Sequence, residues 1–395
     1  MRVLIIMDSF KGNISSLEAS EAVARGVRRG CPWAEIRILP AADGGEGTVD
    51  AFVKALHGQI KSSIVSGPLG SPTTAVWGLM PDRSAVIELA AASGLPLVPR
   101  YQRNPERTST FGTGQQVLSA LDEGCPVIVI GLGGSATNDG GMGILSALGA
   151  RFLDSAGRQL PPVGASLSRV EKIDLARLDP RLKKVKTVLA CDVKNPLCGP
   201  EGAARVYGPQ KGATSEIIAR LDQGLAHFAG VIRRTTGRDV LRMSGGGAAG
   251  GAAAGLAGLT GARLVSGIEL LSGILRLDEE IPRADVIFTG EGRIDSQTSQ
   301  GKLISGLAAR ARAAGVPIVA LVGSIRGPVA PLMSMGLTAV FSTAPGPCTT
   351  AQSFQSSREG LERTASQVTR VIRGTLRLQN RRAVRRRRIY EKKPQ

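Results

Sequence analysis

Residues 289–302 have the sequence TGEGRIDSQTSQGK, a polar and glycine-rich stretch between two apolar ones. The apolar run at 284–288, ADVIF, comes directly before it and predicts a buried strand. After it, from residue 303 to residue 311, apolar residues recur at helical spacing. The stretch therefore predicts a strand, a glycine-rich loop and a helix in succession.

The polar residues of this loop are of the types that hold cations and phosphate. Glu291 and Asp295 are carboxylates that can hold a cation, and Arg293 and Lys302 can hold phosphate oxygens. The N-terminus of the following helix offers free N–H groups and a positive dipole end to an anion. A polar surface turn without a ligand is the alternative that the loop alone leaves open.

The same succession of strand, loop and helix occurs at both ends of the chain. The N-terminal part holds two such units, with strands predicted at 3–6 and 35–39. The C-terminal third has predicted strands at 286–289, 317–322 and 338–342 and predicted helices at 302–314, about 328–335 and about 351–373. Parallel units at both ends predict one sheet that is built from two distant parts of the chain.

The region between them has a different pattern. Three β-type segments, 60–65, 73–79 and 84–89, follow one another closely and are separated by turns that contain proline. They predict an antiparallel or mixed sheet. Further predicted elements are strands at 127–130 and 187–191, a helix at 215–235 and a tightly packed helix of small residues within 244–258.

These patterns predict an α/β fold of two domains. The first is a discontinuous, doubly wound (Rossmann-like) parallel-sheet domain formed by residues 1–60 and 285–375. The second is an α/β domain, residues 61–284, that is inserted into the first. Residues 376–395 are predicted to be a disordered basic tail.

Several polar loops follow predicted parallel strands, at 8–12, 42–47, 289–302 and 323–326. Because ligands bind at the carboxyl ends of the strands of such sheets, these loops are expected to share one edge. Their convergence predicts an enzyme. Their residue types, which are carboxylates, lysines and glycines without soft ligands, are those of Mg²⁺ and phosphate chemistry.

The net charge of +18 is unevenly distributed. The segment 373–395 contains ten Lys or Arg residues and one Glu, so it carries half of the excess charge. The remaining excess suits anionic small-molecule ligands and does not require nucleic acid. The alternative to an enzyme is a protein that binds nucleic acid or acidic surfaces through this tail.

The composition argues against several other classes. No apolar run reaches the roughly 18 residues of a membrane span. Five cysteines without a Cys-x-x-Cys pair fit reduced thiols, which predicts a cytoplasmic protein. With only two histidines, a His-ligated zinc site or a Ser-His-Asp triad is hard to build.

A dinucleotide-dependent oxidoreductase is a further alternative. Gly131, Gly133 and Ala136 fit the loose dinucleotide-binding pattern, and Asp154 lies downstream. However, the polar segment 138–141, NDGG, interrupts the helix that the pattern requires.

Six long polar motifs stand in order along the chain: 8–12 (DSFKG), 42–48 (ADGGEGT), 131–141 (GLGGSATNDGG), 191–197 (CDVKNPL), 208–212 (GPQKG) and 289–295 (TGEGRID). Taken together, these loops resemble those of the type I bacterial glycerate kinase family, in the order of that family. The likeness extends from residue 1 to about residue 372. Met7 stands where the family typically has proline, and the arginine-rich tail lies outside the likeness.

The resemblance implies ATP-dependent phosphorylation of D-glycerate to 2-phosphoglycerate with Mg²⁺, and two α/β domains with the active site in the cleft between them. Kinase activity on another small hydroxy acid remains an alternative, and an oligomer is compatible with the sequence.

Charge and loop position then suggest a role for each polar residue. The predicted catalytic residues are Asp192 as base or hydroxyl orienter, with Asp8 as its competitor, and Lys11 and Lys211 as neutralising charges. The predicted nucleotide-binding residues are Gly133, Gly134, Ser135, Gly290, Gly292 and Lys302. The predicted substrate-binding residues are Ser9, Asn138, Asn195 and Arg293, and the predicted metal ligands are Asp43, Glu46 and Asp295.

Overall fold

The fold is described from a computed structural model. The structure describes residues 1–10, 13–41, 47–295, 298 and 303–390, and for residues 55, 350 and 376–390 it describes the backbone alone. No helix in this part of the chain is long and apolar enough to cross a membrane.

The strands of the described residues are short and mostly apolar. They are β1 (Arg2–Met7), β2 (Glu35–Ile38), β3 (Gln59–Ser66), β4 (Pro72–Leu79), β5 (Ala85–Glu88), β6 (Val127–Gly131), β7 (Arg151–Leu153), β8 (Lys172–Asp174), β9 (Lys186–Ala190), β10 (Arg263–Val265), β11 (Val286–Gly290), β12 (Arg293–Ile294), β13 (Ile318–Val322), β14 (Ser324–Ile325) and β15 (Ala339–Ser342).

The α-helices alternate with the strands through most of the chain. They are α1 (Ser16–Gly30), α2 (Thr48–Leu56), α3 (Leu89–Ser93), α4 (Phe111–Asp122), α5 (Met142–Ala147), α6 (Ala203–Tyr207), α7 (Ser215–Thr236), α8 (Ala248–Thr260), α9 (Gly267–Leu275), α10 (Leu277–Glu280), α11 (Leu303–Ala314), α12 (Ala330–Met335), α13 (Thr350–Gln355) and α14 (Ser357–Tyr390). Short 3₁₀ segments lie at Leu95–Leu97, Arg100–Gln102, Gly164–Arg169, Pro180–Lys183, Pro209–Lys211 and Ile281–Arg283.

The chain forms two compact units. Unit 1 consists of Met1–Ala41 and Leu271–Gln395, and unit 2 of Ala42–Leu270. The sequence pattern predicted the divisions near residues 60 and 285 instead. The boundary lies after Ala41 and not near residue 60 because α2 packs on the sheet of unit 2. There the backbone N–H of Val49 donates to the Glu88 side chain at 2.8 Å.

Unit 1 contains an all-parallel, five-stranded sheet in the order β2, β1, β11, β13, β15. Counted within the unit, this is the doubly wound order 2-1-3-4-5, in which the chain changes direction between its first and third strands. Each strand predicted for this sheet is confirmed to within one residue at either end. The apolar residues of the three central strands, β1, β11 and β13, are buried, and Val3, Ile5 and Phe288 form the core with α1 and α14.

Unit 2 contains a mixed, six-stranded sheet in the order β3, β4, β5, β6, β9, β10. The pairs β3–β4 and β4–β5 are antiparallel, whereas β5, β6, β9 and β10 run parallel to one another. The prediction of a mixed sheet after residue 60 is therefore confirmed. The carboxyl ends of the four parallel strands lie along one edge, which is where the polar loops of this unit begin.

The small-residue segment predicted as a helix forms α8, which is buried along most of its length. Its start differs from a regular helix, because Ala249, Gly250 and Gly251 have left-handed backbone angles with φ of 50°, 64° and 89°. A side chain at Gly250 would place its Cβ 2.1 Å from the carbonyl oxygen of Thr137. Gly250 is therefore required by this close approach of two backbones.

The prediction for the C-terminus is wrong in one respect. The last helix was expected to end near residue 373 and to be followed by a disordered tail, but α14 continues to Tyr390. No proline occurs between Ser357 and Tyr390, and Arg, Leu, Gln and Ala are all good helix formers. Residues 391–395 lie outside the described part of the chain.

Candidate active-site loops

In unit 1, two predicted site segments meet where the sheet changes direction. The backbone N–H of Asp8, directly after β1, donates to the carbonyl oxygen of Gly290 at the end of β11, at 2.8 Å. The backbone N–H of Ser9 donates to the Asp8 carboxylate at 2.6 Å. The loops after β1 and β11 are thus neighbours, at the position where sheets of this order bind ligands.

The loop after β11 is braced by its own side chains. Thr298 donates a hydrogen bond from its hydroxyl to the Glu291 carboxylate at 2.6 Å and accepts one from the backbone N–H of Asp295 at 3.2 Å. Arg293 forms an ion pair with Asp295 at 3.5 Å. These contacts hold two carboxylates and one guanidinium group at the same edge of unit 1.

The glycines of this loop have a packing role. A Cβ on Gly290 would lie 1.9 Å from the carbonyl oxygen of Leu321 on the neighbouring strand β13. Gly323 donates its backbone N–H to the Glu291 carbonyl at 3.2 Å, and Ser324 donates its backbone N–H to the Gly292 carbonyl at 3.2 Å. The need for glycine at 290 is therefore explained by the close strand β13.

Four predicted site residues, Lys11, Asp43, Glu46 and Lys302, lie outside the described residues. Among the residues that are described, no three His, Cys, Asp or Glu side chains are grouped so that they could hold a metal ion.

In unit 2, the loop after β6 begins with an exposed turn. Gly133 is half-buried and Gly134 is exposed, with a φ of 71° that favours glycine. The described residues provide no acceptor for the backbone N–H groups of Gly133 and Gly134, whereas the Gly134 carbonyl accepts from the N–H of Leu95 at 2.9 Å. Two adjacent N–H groups in an exposed turn form a site that suits an anion.

The loop becomes fully buried beyond this turn, and the Asp139 carboxylate organises it. One carboxylate oxygen of Asp139 accepts from the backbone N–H of Thr110 at 2.8 Å, its hydroxyl at 2.8 Å and the N–H of Gly143 at 3.1 Å. The other oxygen accepts from the N–H of Gly141 at 3.0 Å. Burial raises the pKa of Asp139, and these hydrogen bonds oppose that rise. This carboxylate joins the N-termini of α4 and α5, and sequence reasoning gave it no role of its own.

Lys211 reaches the same loop from a distant part of the chain. Its side chain is 2% exposed, and its amino group donates to the Ser135 hydroxyl at 2.8 Å and to the Thr137 carbonyl at 2.7 Å. Burial lowers the pKa of Lys211 from 10.5 to about 7, with the Asp139 carboxylate acting in the opposite direction. The structure thus brings together two predicted site residues, Ser135 and Lys211.

Asn138 is also fully buried in this loop. Neither its amide oxygen nor its amide nitrogen has a hydrogen-bond partner among the described residues, and the same holds for the Thr137 hydroxyl. A buried amide without partners is destabilising by about 1–3 kcal/mol, so these groups are candidates for contact with a ligand or an ordered water.

Asp192 and Asn195 lie in the loop after β9. One carboxylate oxygen of Asp192 accepts from the backbone N–H of Gly267, the first residue of α9, at 2.7 Å. Asn195 donates from its amide nitrogen to the Glu201 carbonyl at 2.8 Å, and its amide oxygen accepts from the Tyr207 hydroxyl at 2.6 Å. The amide of Asn195 is therefore engaged within its own loop.

The structure does not favour dinucleotide binding at the loop after β6. That mode requires the glycine loop to lead directly into a helix whose N-terminus meets the pyrophosphate. Here α5 begins only at Met142, and the N–H groups of Gly141 and Gly143 at its start are taken by the buried Asp139 carboxylate.

Comparison with known proteins places this α/β chain in a family. A doubly wound parallel sheet in unit 1 and a mixed sheet in unit 2, each with polar loops at the ends of its parallel strands, define an α/β protein. The sequence profile of the glycerate kinase family matches residues 3–373, and the chain belongs to that family.

Individual relatives match almost the whole chain. A glycerate kinase of Bacillus subtilis (strain 168) is 46% identical over 373 residues, which cover 94% of this chain and 98% of that protein. A glycerate 2-kinase of Escherichia coli (strain K12) is 42% identical over 373 residues, which cover 94% and 98% of the two chains. The crystal structure of a protein described as glycerate kinase 2 from Salmonella typhimurium LT2 matches with a TM-score of 0.85 at 45% identity, covering 95% of this chain and 99% of that chain. The predicted α/β fold class and family resemblance are confirmed.

We expect Thr110→Val to loosen the start of α5. The Thr110 hydroxyl donates to Asp139 and accepts from the N–H of Ile144 at 3.0 Å. Valine of similar shape removes both hydrogen bonds, so the N–H of Ile144 loses this acceptor and the Asp139 carboxylate keeps three of its four donors. The loss should be about 2 kcal/mol. Amide hydrogen exchange across residues 142–147 should become faster, and the urea midpoint should fall. Thr260→Val is the matched control, because the Thr260 hydroxyl donates only to the Leu256 carbonyl of its own helix. Equal effects of the two changes would contradict the role of Asp139 as a shared cap.

We expect the stability contribution of Lys211 to depend on pH. Between about pH 7 and pH 10.5 the unfolded chain binds a proton at this amine that the folded chain does not, so the free energy of unfolding rises with pH. The difference in urea midpoint between the wild type and Lys211→Met should therefore grow in favour of the wild type across this range. Lys183→Met, at an exposed lysine of the same unit, controls for loss of one charge. A difference that stays constant with pH would mean that the buried amine keeps its proton.

Proposed function

We propose that this chain transfers the γ-phosphoryl group of ATP to D-glycerate and forms 2-phosphoglycerate. The observation that carries the proposal is the family match over residues 3–373, together with a relative named glycerate 2-kinase that is matched over 98% of its length. The tail beyond residue 373 lies outside that match, so the activity is assigned to the part of the chain that precedes it.

The exposed turn after β6 is proposed to hold phosphate oxygens of the nucleotide. Its support is the pair of N–H groups at Gly133 and Gly134 that lack acceptors among the described residues. Phosphoryl transfer depends mainly on positioning and on stabilising charge, so backbone N–H groups at a fixed turn are suitable donors. Ser135 belongs to the same proposed phosphate loop.

Asp192 is proposed as the residue that orients the substrate hydroxyl and accepts its proton. Its support is a carboxylate at the end of a parallel strand, held by the N–H of Gly267 at 2.7 Å. A carboxylate at such a position is of the residue type that can take the proton of a substrate hydroxyl. Asp8, also at a strand end and hydrogen-bonded to the N–H of Ser9, remains the competing candidate.

Magnesium is proposed as the ion that accompanies ATP, where it would neutralise charge on the phosphates. Mg²⁺ commonly takes one or two protein carboxylates and completes its shell with phosphate oxygens and water. The carboxylates of Glu291 and Asp295 at one edge of unit 1 are donors of the right type. Asp295 is proposed as a ligand, and Asp43 and Glu46 are proposed with it on sequence grounds alone.

The remaining assignments are proposed with the roles that their contacts support. Gly290 and Gly292 are proposed to shape the loop after β11, and Lys302 and Lys11 are proposed as phosphate or carboxylate partners on sequence grounds alone. Arg293 and Ser9 are proposed to bind substrate.

Asn138 is proposed as a substrate ligand because its amide lacks partners among the described residues. Asn195 is proposed to act indirectly, by holding the loop after β9 through its hydrogen bond to the Glu201 carbonyl. Lys211 is proposed to act through Ser135.

The proposed reaction is tested by measuring ADP release from ATP and Mg²⁺ with D-glycerate, L-glycerate, glycolate, lactate and tartrate as acceptors. D-Glycerate should be preferred over glycolate and lactate in kcat/KM by about a hundredfold or more, because a site that hydrogen-bonds both substrate hydroxyls discriminates against analogues that lack one. The position of the phosphate is read by ³¹P NMR of the product. Preference for another acceptor, or 3-phosphoglycerate as the product, would contradict the proposal, and a reaction without acceptor measures background ATP hydrolysis.

We expect Asp192→Asn to preserve the fold and lose most turnover. The amide oxygen of asparagine can still accept from the N–H of Gly267, but it cannot take a proton, so kcat should fall by about a hundredfold or more. Asp222→Asn is the matched control, because the Asp222 carboxylate also accepts a backbone N–H, that of Gly199 at 3.0 Å. Near-normal turnover of Asp192→Asn would remove Asp192 from the mechanism and favour Asp8.

A further inference from the structure

Ser135 and Lys211 have the geometry of a nucleophile and its base. The amino nitrogen of Lys211 lies 2.8 Å from the Ser135 hydroxyl oxygen, which is within the reach that proton transfer requires. A third group orients the base, because the same nitrogen lies 2.7 Å from the Thr137 carbonyl oxygen. A hydroxyl, a base and an orienting acceptor are the parts from which activated serines are built on unrelated folds.

The surroundings of Lys211 suit this role. The side chain is buried, and burial lowers the pKa of its amine to about 7, which favours the neutral amine that a base requires. The charged group that acts on it is the buried Asp139 carboxylate, which favours the protonated form. Arg103 comes near the same segment, donating to the Gln210 carbonyl at 3.5 Å.

Donors for a developing negative charge directly precede the serine. The N–H groups of Gly133 and Gly134 have no acceptor among the described residues, and Gly134 is exposed whereas Ser135 is buried. Preorganised N–H groups of this kind stabilise the oxygen atoms of a reacting phosphorus centre.

We propose that Ser135 and Lys211 form a nucleophile–base pair, so that the Ser135 hydroxyl reacts covalently with phosphoryl and phosphonyl groups. In the reaction the Oγ–P bond forms, the bond from phosphorus to its leaving group breaks, and the hydroxyl proton moves to the Lys211 amine. With ATP as the donor, ADP leaves and phosphoserine 135 forms, which would occupy the proposed phosphate loop when no acceptor acid is present. The choice of ATP as natural donor rests on the proposed function, whereas the reactivity of the serine does not.

The test uses the full chain and a fluorophosphonate probe, which needs neither ATP nor glycerate. The probe should bond to Ser135 with loss of fluoride, as located by mass spectrometry of the peptide that contains residue 135. The labelling rate of the wild type should rise with pH about a midpoint near 7, as Lys211 loses its proton. Ser135→Ala should abolish labelling at this peptide, and Lys211→Met should slow it about a hundredfold.

Ser93→Ala is the matched control, because Ser93 is a buried serine of the same unit whose hydroxyl pairs with Thr113 at 2.8 Å, and labelling of Ser135 should persist in it. Absence of the label from Ser135 in the wild type would contradict the proposed nucleophile–base pair. So would a labelling rate of the wild type that stays constant between pH 6 and pH 9, the range around the pKa of the Lys211 amine. The wild-type profile decides the matter even if Lys211→Met fails to fold. Glycerate phosphorylation is measured on the same preparation to separate the proposed kinase activity from the proposed nucleophile–base pair. Phosphorylation of glycerate without labelling of Ser135 would contradict only the nucleophile–base pair.

Discussion

A single buried carboxylate holds the central loop of unit 2 in place. Asp139 is fully buried and accepts four hydrogen bonds, from both polar groups of Thr110 and from the N–H groups of Gly141 and Gly143. The first N–H groups of a helix lack partners within the helix, and here one side chain satisfies such groups at the starts of α4 and α5 together. A buried charge without these donors would be strongly destabilising, so the loop and both helices must form as one assembly.

The residues of the loop on either side of Asp139 are held by further hydrogen bonds. On one side of Asp139 the backbone of Gly140 donates to the Gly250 carbonyl at 3.0 Å, and on the other Lys211 holds Ser135 and Thr137. Every residue from Ser135 to Asp139 is buried, so only the turn at Gly133 and Gly134 is left at the surface. A rigid interior that ends in an exposed turn suits a loop that must present N–H groups at a fixed position.

In unit 1 the order of the strands brings the polar loops together. Its strand order brings the ends of β1 and β11 side by side, and the hydrogen bond from Asp8 to the Gly290 carbonyl joins the two loops directly. The five strands of the parallel sheet were predictable because most of them are short apolar runs bounded by glycine, proline or charge, and each of the five is confirmed to within one residue. The strand neighbours were not predictable from periodicity, since a parallel strand carries no local signal of its partner. The same limit explains α2, which follows a strand of unit 1 in the chain but packs in unit 2.

The sequence by itself determined the α/β class, the five strands of the parallel sheet in unit 1 to within one residue, and the family. Apolar periodicity and the six loop motifs are local properties of the chain. The sequence also picked out Ser135, Asn138, Asp192 and Lys211 as residues that apolar packing does not explain. Only the tertiary structure decided what these side chains contact: that Lys211 is buried against Ser135 rather than exposed, that Gly290 is required by its neighbour Leu321, and that Asp139 caps two helices. The physical reason is that hydrogen-bond partners and burial depend on residues that lie 29, 31 and 76 positions away in sequence, and only the folded chain brings them together.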